Sequence, residues 1–385
     1  TVNVRDGDYY EQFVLSSITG NSFVNTLTIQ GESGDSSLVR LWFDDNVTAF
    51  VLDIRSVKGL TLRDMTFHSV FSANNGAYKF IDCDTLKVEN CFFKPQFYNS
   101  ASNSYHVQEL YFERVKGGLI QDNNFGYANG IKIYESELRI LNNEAISSGG
   151  SGSLNMNYSS NYSGSSKVIF SGNHIVLGTY TYANVPFYVR SNLWAYNQYQ
   201  PDTVIISNNL VEFLGSGSAT SHIRFSENEY IVFKNNILLG QAGPILFENV
   251  DSIVGNRFVG ADNVTLIALR QESFVANNYF EVGGTVDNKA IDLQTQNSTV
   301  VVANNSINNT GTSSGSYGLY ASGSLENVTV KNNIFSASNG GVPVYLTSSV
   351  SNIDWDYNCY YTSGNIIGSY NGTNYSSVSA LGAAM

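Results

Sequence analysis

Residues 328–335 read VTVKNNIF: a short alternating run, an Asn pair, one variable residue and a closing apolar residue. The second Asn position of this pattern recurs about every 27 residues on average, which is the period expected of a repeat architecture. The other copies are residues 60–67 (LTLRDMTF), 86–93 (LKVENCFF), 118–125 (GLIQDNNF), 138–145 (LRILNNEA), 168–175 (VIFSGNHI), 204–211 (VIISNNLV), 231–238 (IVFKNNIL), 253–258 (IVGNRF), 274–280 (FVANNYF), 300–307 (VVVANNSI) and 353–360 (IDWDYNCY).

The repeated runs are too short for helices and alternate with period 2, so they predict β-strands. A second strand-like run precedes most copies, for example residues 130–134 (GIKIY) and 344–347 (VYLT). Two or three strands in each repeat of ~20–35 residues, without helical spacers, predict an all-β, single-stranded parallel β-helix of about 12 coils.

The Asn positions predict a structural ladder. An Asn at a turn tolerates the αL conformation and hydrogen-bonds local backbone. Coils stack ~4.8 Å apart, so its amide can also bond the Asn of the coils above and below, while the apolar residue two places on enters the core. The ladder is predicted at Asn143, Asn173, Asn209, Asn236, Asn256, Asn278, Asn305, Asn333 and Asn358.

Composition narrows the classes of function. The 385 residues include 46 Asn, 14% are charged, and the net charge is -12. A hydrophobic fraction of 42% is too high for a disordered chain, and no apolar run approaches the ~20 residues that cross a membrane. Nucleic-acid binding needs clustered Lys and Arg. We therefore expect a folded protein with no membrane span and no nucleic-acid partner.

The repeat also predicts the domain organisation. We expect residues 1–50 to form N-terminal capping strands, residues 51–365 to form the β-helix, and residues 366–385 to form a tail that leads to a missing segment. The chain opens inside a strand-like run without an initiator Met and ends abruptly. Both features predict a piece of a longer protein with further domains.

Over about residues 50–365 the chain resembles the right-handed parallel β-helix proteins of the pectate-lyase-like superfamily. Residues 2–12 (VNVRDGDYYEQ), 27–35 (LTIQGESGD) and 356–361 (DYNCYY) are similar to β-helix modules of large secreted bacterial surface proteins. The resemblance implies a right-handed β-helix that is secreted and located at the bacterial cell surface. The superfamily includes polysaccharide lyases, hydrolases and epimerases, whereas the narrower group is mostly adhesin-like.

A strip of outward residues is the predicted groove. Side chains alternate along a strand, so the outward residues of the strand before each Asn segment form columns. Four basic residues fall on this strip: Lys132, Arg190, Arg224 and Arg270. Superfamily enzymes place their substrate groove on such a face, and a lyase needs a base and a cation for the uronate carboxylate. The resemblance therefore implies Lys132, Arg190 and Arg224 as catalytic candidates.

Two acidic residues near this strip, Glu227 and Glu248, are the candidates for a metal site, with Ca²⁺ as the cation. No other cofactor is expected. The alternative interpretation is that alternating charges keep a solvated sheet soluble.

Aromatic residues are concentrated at residues 179–199 (TYTYANVPFYVRSNLWAYNQY), in the longest interval between ladder positions. Aromatic faces stack on sugar rings, so this segment is the predicted carbohydrate platform. The alternative is that its aromatic rings pack on the flank of the solenoid. With two residues of the strip, the candidates for substrate binding are Tyr134, Tyr180, Tyr182, Tyr188, Trp194, Tyr196 and Arg270.

The remaining chemistry-bearing residues indicate structural roles. The four His residues lack metal-ligand spacing. Asp354 and Asp356 share a strand face, which a hydrolase could use, but they lie beside an Asn turn and a structural role is favoured. Cys83, Cys91 and Cys359 are expected to be buried thiols, with a Cys83–Cys91 disulfide as the alternative.

Three functions remain open from the sequence. The first is a non-catalytic module that binds a polysaccharide or cell-surface glycan, favoured because no lyase or hydrolase signature is recognised. The second is a polysaccharide lyase, or a hydrolase, acting on an acidic glycan. A net charge of -12 opposes that substrate unless Ca²⁺ or a local basic groove offsets it. The third is a structural unit that associates end to end into a fibre.

Overall fold

The structure is a computed structural model of the chain. It describes residues 1–43, 51–69, 78–95, 98–99, 104–105, 109–126, 130–147, 154–157, 166–177, 187–190, 203–214, 230–241, 245–247, 250–262, 264–270, 272–294, 299–321, 325–347 and 350–385. The chain forms two compact units, Thr1–Ile205 and Ile206–Met385, here called the N-terminal and C-terminal units.

Each unit is a parallel β-helix whose coils contribute to three sheets, called A, B and C in the order in which the chain visits them. An A strand leads through the Asn turn into a B strand, and a C strand then bends into the next A strand. The all-β parallel β-helix predicted from the repeat is confirmed, and the arrangement is consistent with the right-handed form.

The N-terminal unit begins at Val2. Its sheet A contains Val2–Val4, Leu27–Gly31, Leu60–Arg63, Lys87–Glu89, Gly118–Gln121, Glu137–Leu141, Lys167–Ser171 and Thr203–Ser207, the last of which contains the division between the units. Sheet B contains Gly7–Tyr10, Val39–Phe43, Thr66–Ser69, Phe92–Pro95, Asn124–Phe125, Glu144–Ser147 and His174–Leu177. Sheet C contains Phe13–Ser16, Leu52–Arg55, Tyr78–Ile81, Glu109–Glu113, Gly130–Tyr134, Leu154–Asn157 and Phe187–Arg190. Tyr98–Asn99 and Ser104–Tyr105 form a separate antiparallel pair.

The C-terminal unit repeats the plan. Its sheet A contains Tyr230–Lys234, Val250–Val254, Ser273–Ala276, Val300–Ala303, Leu325–Lys331 and Val350–Asp356. Sheet B contains Leu210–Phe213, Ile237–Gln241, Arg257–Ala261, Tyr279–Gly283, Ser306–Asn309, Ile334–Ala337 and Cys359–Thr362. Sheet C contains Ile245–Phe247, Thr265–Leu269, Lys289–Leu293, Tyr317–Ala321, Val342–Leu346, Gly368–Tyr370 and the antiparallel Thr373–Tyr375. One helix, Val378–Ala384, follows Ser377, whose side chain caps it, and buries Leu381.

The Asn ladder holds the turns between sheets A and B together. Asn256 illustrates it: its Nδ2 donates to Asn278 Oδ1 at 3.0 Å and its backbone N donates to the same oxygen at 2.8 Å. Its Nδ2 also donates to the carbonyl of Phe233, in the preceding coil, at 2.9 Å. Each ladder amide therefore satisfies buried backbone groups of two coils, which would otherwise remain unpaired at a large energetic cost.

The contact repeats within each unit. In the N-terminal unit it links Asn123, Asn143 and Asn173. In the C-terminal unit it links Asn209, Asn236, Asn256, Asn278, Asn305, Asn333 and Asn358.

The αL conformation belongs to the residue before the ladder Asn. Asn277 has φ 56° and Asn304 has φ 57°, whereas Asn278 and Asn305 do not have positive φ. Gly255 takes the same position before Asn256, with φ 69°. The repeat pattern predicts both roles for one turn Asn. In the structure the first Asn of the pair turns the chain, and the second bonds the neighbouring coils.

The core of each unit contains columns of stacked aromatic rings. Phe258 and Phe280, each two positions after a ladder Asn, are fully buried with ring centroids 5.0 Å apart and planes 4° apart. Phe67 and Phe93 stack in the same way at 5.3 Å in the N-terminal unit. In-register parallel pairing places equivalent side chains above one another, so each ring packs on its counterpart.

The cysteines follow the expectation only in part. Cys83 and Cys91 are buried free thiols, and burial raises the pKa of Cys83 to about 11 and that of Cys91 to about 12. The expected burial of Cys359 is wrong: its thiol is exposed because it lies on the outward side of the B strand Cys359–Thr362. Strand Val2–Val4 pairs in register with Leu27–Gly31, which in turn pairs with Leu60–Arg63. The domain boundaries at residues 50 and 365 stay predictions.

Candidate functional site

The predicted strip corresponds to the outward face of sheet C. In the N-terminal unit, Lys132 pairs in register with Tyr111 on one side and with Asn155 on the other, and Tyr134 pairs with Glu113. Lys132 is half-buried and Tyr134 is buried. Arg270 directly follows the C strand Thr265–Leu269 of the C-terminal unit and is exposed.

Most of the other predicted site residues lie outside the described part of the chain. Tyr188 and Arg190 are on the C strand Phe187–Arg190, in register with Asn155 and Asn157, but only their backbone is described. The residues outside the described ranges are Tyr180, Tyr182, Trp194, Tyr196, Arg224, Glu227 and Glu248.

In the N-terminal unit, Lys132 and Tyr134 belong to a cluster that also contains Lys79, Tyr111 and Glu113, here called the lysine–tyrosine face. The Tyr111 and Tyr134 rings have centroids 5.1 Å apart, and Lys79 Nζ lies 5.7 Å from the Tyr111 centroid. The Tyr111 hydroxyl donates to Glu113 Oε2 at 2.8 Å. Burial is the main cause that lowers the pKa of Lys79, and the Asp53 carboxylate opposes it.

Ion pairs surround the lysine–tyrosine face and engage its carboxylates. Arg114 bonds Glu113 and also makes two bonds to Asp82, Nε to Oδ1 at 2.5 Å and Nη2 to Oδ2 at 3.1 Å. Arg55 binds Asp53 with two parallel bonds of 2.7 and 3.0 Å. Such bidentate pairs fix the side chains in place, so the carboxylates of Asp53, Asp82 and Glu113 are each paired with an arginine.

In the C-terminal unit, sheet C presents three tyrosines, Tyr317, Tyr320 and Tyr345, here called the tyrosine face. Their ring centroids lie 4.7 to 5.7 Å apart, and Tyr320 and Tyr345 are nearly parallel, with 10° between their planes. Tyr320 and Tyr345 pair in register on adjacent strands. All three rings are half-buried, so each leaves part of its aromatic surface open to solvent.

A charged pair adjoins the tyrosine face. Lys289 Nζ lies 3.6 Å from the Tyr320 ring centroid, a cation–π distance, and 3.0 Å from Asp292 Oδ2. Gln294 Nε2 donates to the same oxygen at 3.0 Å. Asp292 is only 3% exposed and its Oδ1 makes no hydrogen bond. Lys289 therefore balances a buried carboxylate and covers part of one tyrosine.

The tyrosines also influence one another electrostatically. Burial is the main cause that raises the pKa of Tyr317, and the neighbouring Tyr345, Asp287 and Tyr320 raise it further. The Tyr317 phenol therefore stays neutral at neutral pH, and its hydroxyl can both donate and accept hydrogen bonds.

The described residues contain no group of three or more His, Cys, Asp or Glu that could hold a metal ion. The predicted Ca²⁺ ligands, Glu227 and Glu248, are not among those residues. Ca²⁺ binding therefore stays a prediction.

Sequence reasoning missed several residues of both faces. Tyr111 and Glu113 are one coil before Lys132 and Tyr134 on the same columns, so extending the predicted columns by one register step would have found them. Lys289 and Tyr317 carry no such signal. They begin their strands, at the bend that enters sheet C, where strict alternation does not set the direction of a side chain.

Comparison with models of known protein families and with curated proteins finds no match to this chain. Within the described ranges, no helix is both long enough and apolar enough to cross a membrane.

Proposed function

We propose that the protein is a non-catalytic β-helix module that binds a polysaccharide or cell-surface glycan through the tyrosine face. The observation that carries this proposal is the set of three adjacent, half-buried tyrosine rings on one sheet, each of which is partly open to solvent. Core packing does not require them, because Leu319, Val344 and the other inward residues of these strands fill the interior. Aromatic rings on a flat surface suit the apolar C–H face of a sugar ring, and their hydroxyls can bond its hydroxyl groups.

Charge supports the same ligand class. The net charge of -12 repels polyanions, and the cation nearest the tyrosine face, Lys289, is paired with Asp292. The sequence resemblance to secreted bacterial surface modules supports an extracellular location and a relationship to the pectate-lyase-like superfamily. Both the location and the superfamily assignment are part of the proposal.

A glycan array followed by variant binding tests the proposal. We expect the wild-type protein to bind at least one polysaccharide, and Tyr320→Ala to reduce its affinity about 5- to 10-fold, the loss of about one aromatic contact. Tyr361→Ala is the matched control, because Tyr361 is 59% exposed on sheet B of the same unit. Equal affinities of Tyr320→Ala and the wild-type protein would exclude the tyrosine face as the binding site.

A second candidate function, polysaccharide lyase, is favoured by one observation in the N-terminal unit. Burial lowers the pKa of Lys79, which lies over Tyr111 on the lysine–tyrosine face. A lysine with a lowered pKa, next to tyrosines, has the property expected of a general base. The catalytic candidate Lys132 lies on the same column, two strands from Lys79.

Lyase activity has a direct assay. The protein is incubated with a panel of uronic-acid polysaccharides and Ca²⁺, and the ultraviolet absorbance of an unsaturated product is followed. If the protein is a lyase, absorbance rises and Lys79→Ala or Lys132→Ala abolishes the rise. Under the binding proposal the absorbance stays flat across the panel while glycan binding is retained.

A further inference from the structure

Sheet B of the N-terminal unit carries aromatic side chains on its outward face in three adjacent coils. Tyr10 pairs in register with Trp42, and Trp42 pairs with His68. The ring centroids of Tyr10 and Trp42 are 6.2 Å apart, and those of Trp42 and His68 are 3.9 Å apart. These three residues are here called the aromatic column. It shares no residue with the faces of sheet C.

Polar side chains hold the Trp42 indole in one orientation. Trp42 Nε1 donates to Asp8 Oδ1 at 3.2 Å, and Arg40 bonds the same carboxylate, with Nη2 2.9 Å from Oδ2 and Nε 2.6 Å from Oδ1. The Arg40 guanidinium carbon lies 6.0 Å from the Trp42 ring centroid. A ring that is already fixed loses little conformational entropy when a ligand binds to it.

The core does not explain this column. In the same strands the inward residues Val39, Leu41 and Phe67 are buried and pack the interior. Tyr10, by contrast, is 79% exposed and Trp42 is half-buried, whereas His68 is buried. Solvent-accessible Tyr and Trp beside an Arg are residue types that concentrate in binding surfaces.

We propose that the aromatic column is a second carbohydrate-binding site, which takes a neutral hexopyranose unit of a polysaccharide. The C–H face of the sugar packs against Tyr10 and Trp42, and its hydroxyls exchange hydrogen bonds with Asp8 and Arg40. The charges of Asp8 and Arg40 compensate each other, so the site has no unpaired cation for the carboxylate of a uronic acid. The site binds the same class of ligand as the proposed function, but it does not depend on the tyrosine face.

Tryptophan fluorescence tests this site if Trp42 is the only reporter. The protein has 3 Trp residues, so the background is the Trp194→Phe/Trp355→Phe double variant. The probes are cellohexaose, laminarihexaose and mannohexaose, with trigalacturonate as the anionic probe. We expect a saturable shift in Trp42 emission with at least one neutral probe and none with trigalacturonate.

Variants in the same background locate the signal. Tyr10→Ala is expected to weaken binding about 5-fold or more, and its high exposure means that the fold tolerates the change. Tyr361→Ala is expected to leave the Trp42 signal unchanged. No shift with any neutral probe, a Tyr10→Ala variant that binds as tightly as its parent, or equal binding of trigalacturonate would each overturn the proposal.

The two binding proposals fail separately. If Tyr320→Ala leaves polysaccharide affinity unchanged while the Trp42 signal still depends on Tyr10, the tyrosine face is excluded and the aromatic column stands. If the Trp42 signal is absent while Tyr320→Ala reduces polysaccharide affinity, the aromatic column is excluded and the proposed function stands.

Discussion

In the C-terminal unit, the interior turn position is Asn in every coil from Asn209 to Asn358, whereas the outward column of sheet C changes its residue type at nearly every coil. That column reads Leu246, Ala268, Asp292, Tyr320 and Tyr345 in successive paired strands. The interior position is constrained because each amide must satisfy backbone groups of its own coil and of a neighbouring coil. An outward side chain meets no such requirement, so this face is free to carry recognition chemistry.

A substitution that breaks the interior ladder should lower the stability of the protein most. Asn278→Ala removes the acceptor for the backbone N and Nδ2 of Asn256 and the donor to the Ile253 carbonyl. Leaving several buried polar groups unpaired should lower the free energy of unfolding by about 3 kcal/mol or more. Chemical denaturation measures this change.

The matched outward variant is Tyr320→Ala, which should cost about 1 kcal/mol or less, since it removes only part of a solvent-accessible, half-buried ring cluster. Equal losses of stability in the two variants would contradict the distinction between interior and outward positions.

A smaller effect concerns the buried thiols. The folded-state pKa of Cys91 is raised to about 12 from 9.0, so its stabilising contribution is complete below about pH 9 and is lost as the pH rises toward the folded value. Between about pH 8 and pH 10 the free energy of unfolding should fall by about 1 kcal/mol more in the wild-type protein than in Cys91→Ser. Parallel pH profiles for the two proteins would show that the thiol of Cys91 titrates normally in the fold.

The smallest effect separates the two residues of the Asn pair. Asn277 has φ 56° and is exposed. Asn277→Ala should therefore cost about 1 kcal/mol from the αL conformation alone, and Asn277→Gly should be close to neutral. Thermal unfolding of both variants beside Asn278→Ala measures the difference. An Asn277→Gly variant as unstable as Asn278→Ala would mean that the first Asn contributes more than the turn.

The ladder could be predicted from the sequence because one residue type has to recur wherever each coil bonds the next. Register follows from the same repeat, which is why Tyr320 and Tyr345 fall on one predicted column and pair in the structure. The sequence did not separate the roles of Asn277 and Asn278, since both are Asn and only backbone geometry distinguishes them.

It was harder to predict from the sequence which side chains meet at the candidate site. Lys289 reaches Asp292 and Tyr320 from the start of its strand, and a period-2 pattern would place it on the same side as the inward Ile291. The bend that begins each C strand overrides the alternation. Alternation therefore predicts the direction of side chains in the middle of a strand, but the side chains that meet near such a bend are known only from the structure.

Glycan binding by the tyrosine face is best tested by measuring both affinity and stability in the Tyr320→Ala/Tyr345→Ala double variant. Calorimetric titration with a polysaccharide that binds the wild-type protein is paired with chemical denaturation of the same samples. We expect an affinity loss of about 10-fold or more with a denaturation midpoint close to that of the wild-type protein. Undiminished affinity, or a loss of affinity that appears only together with unfolding, would contradict it.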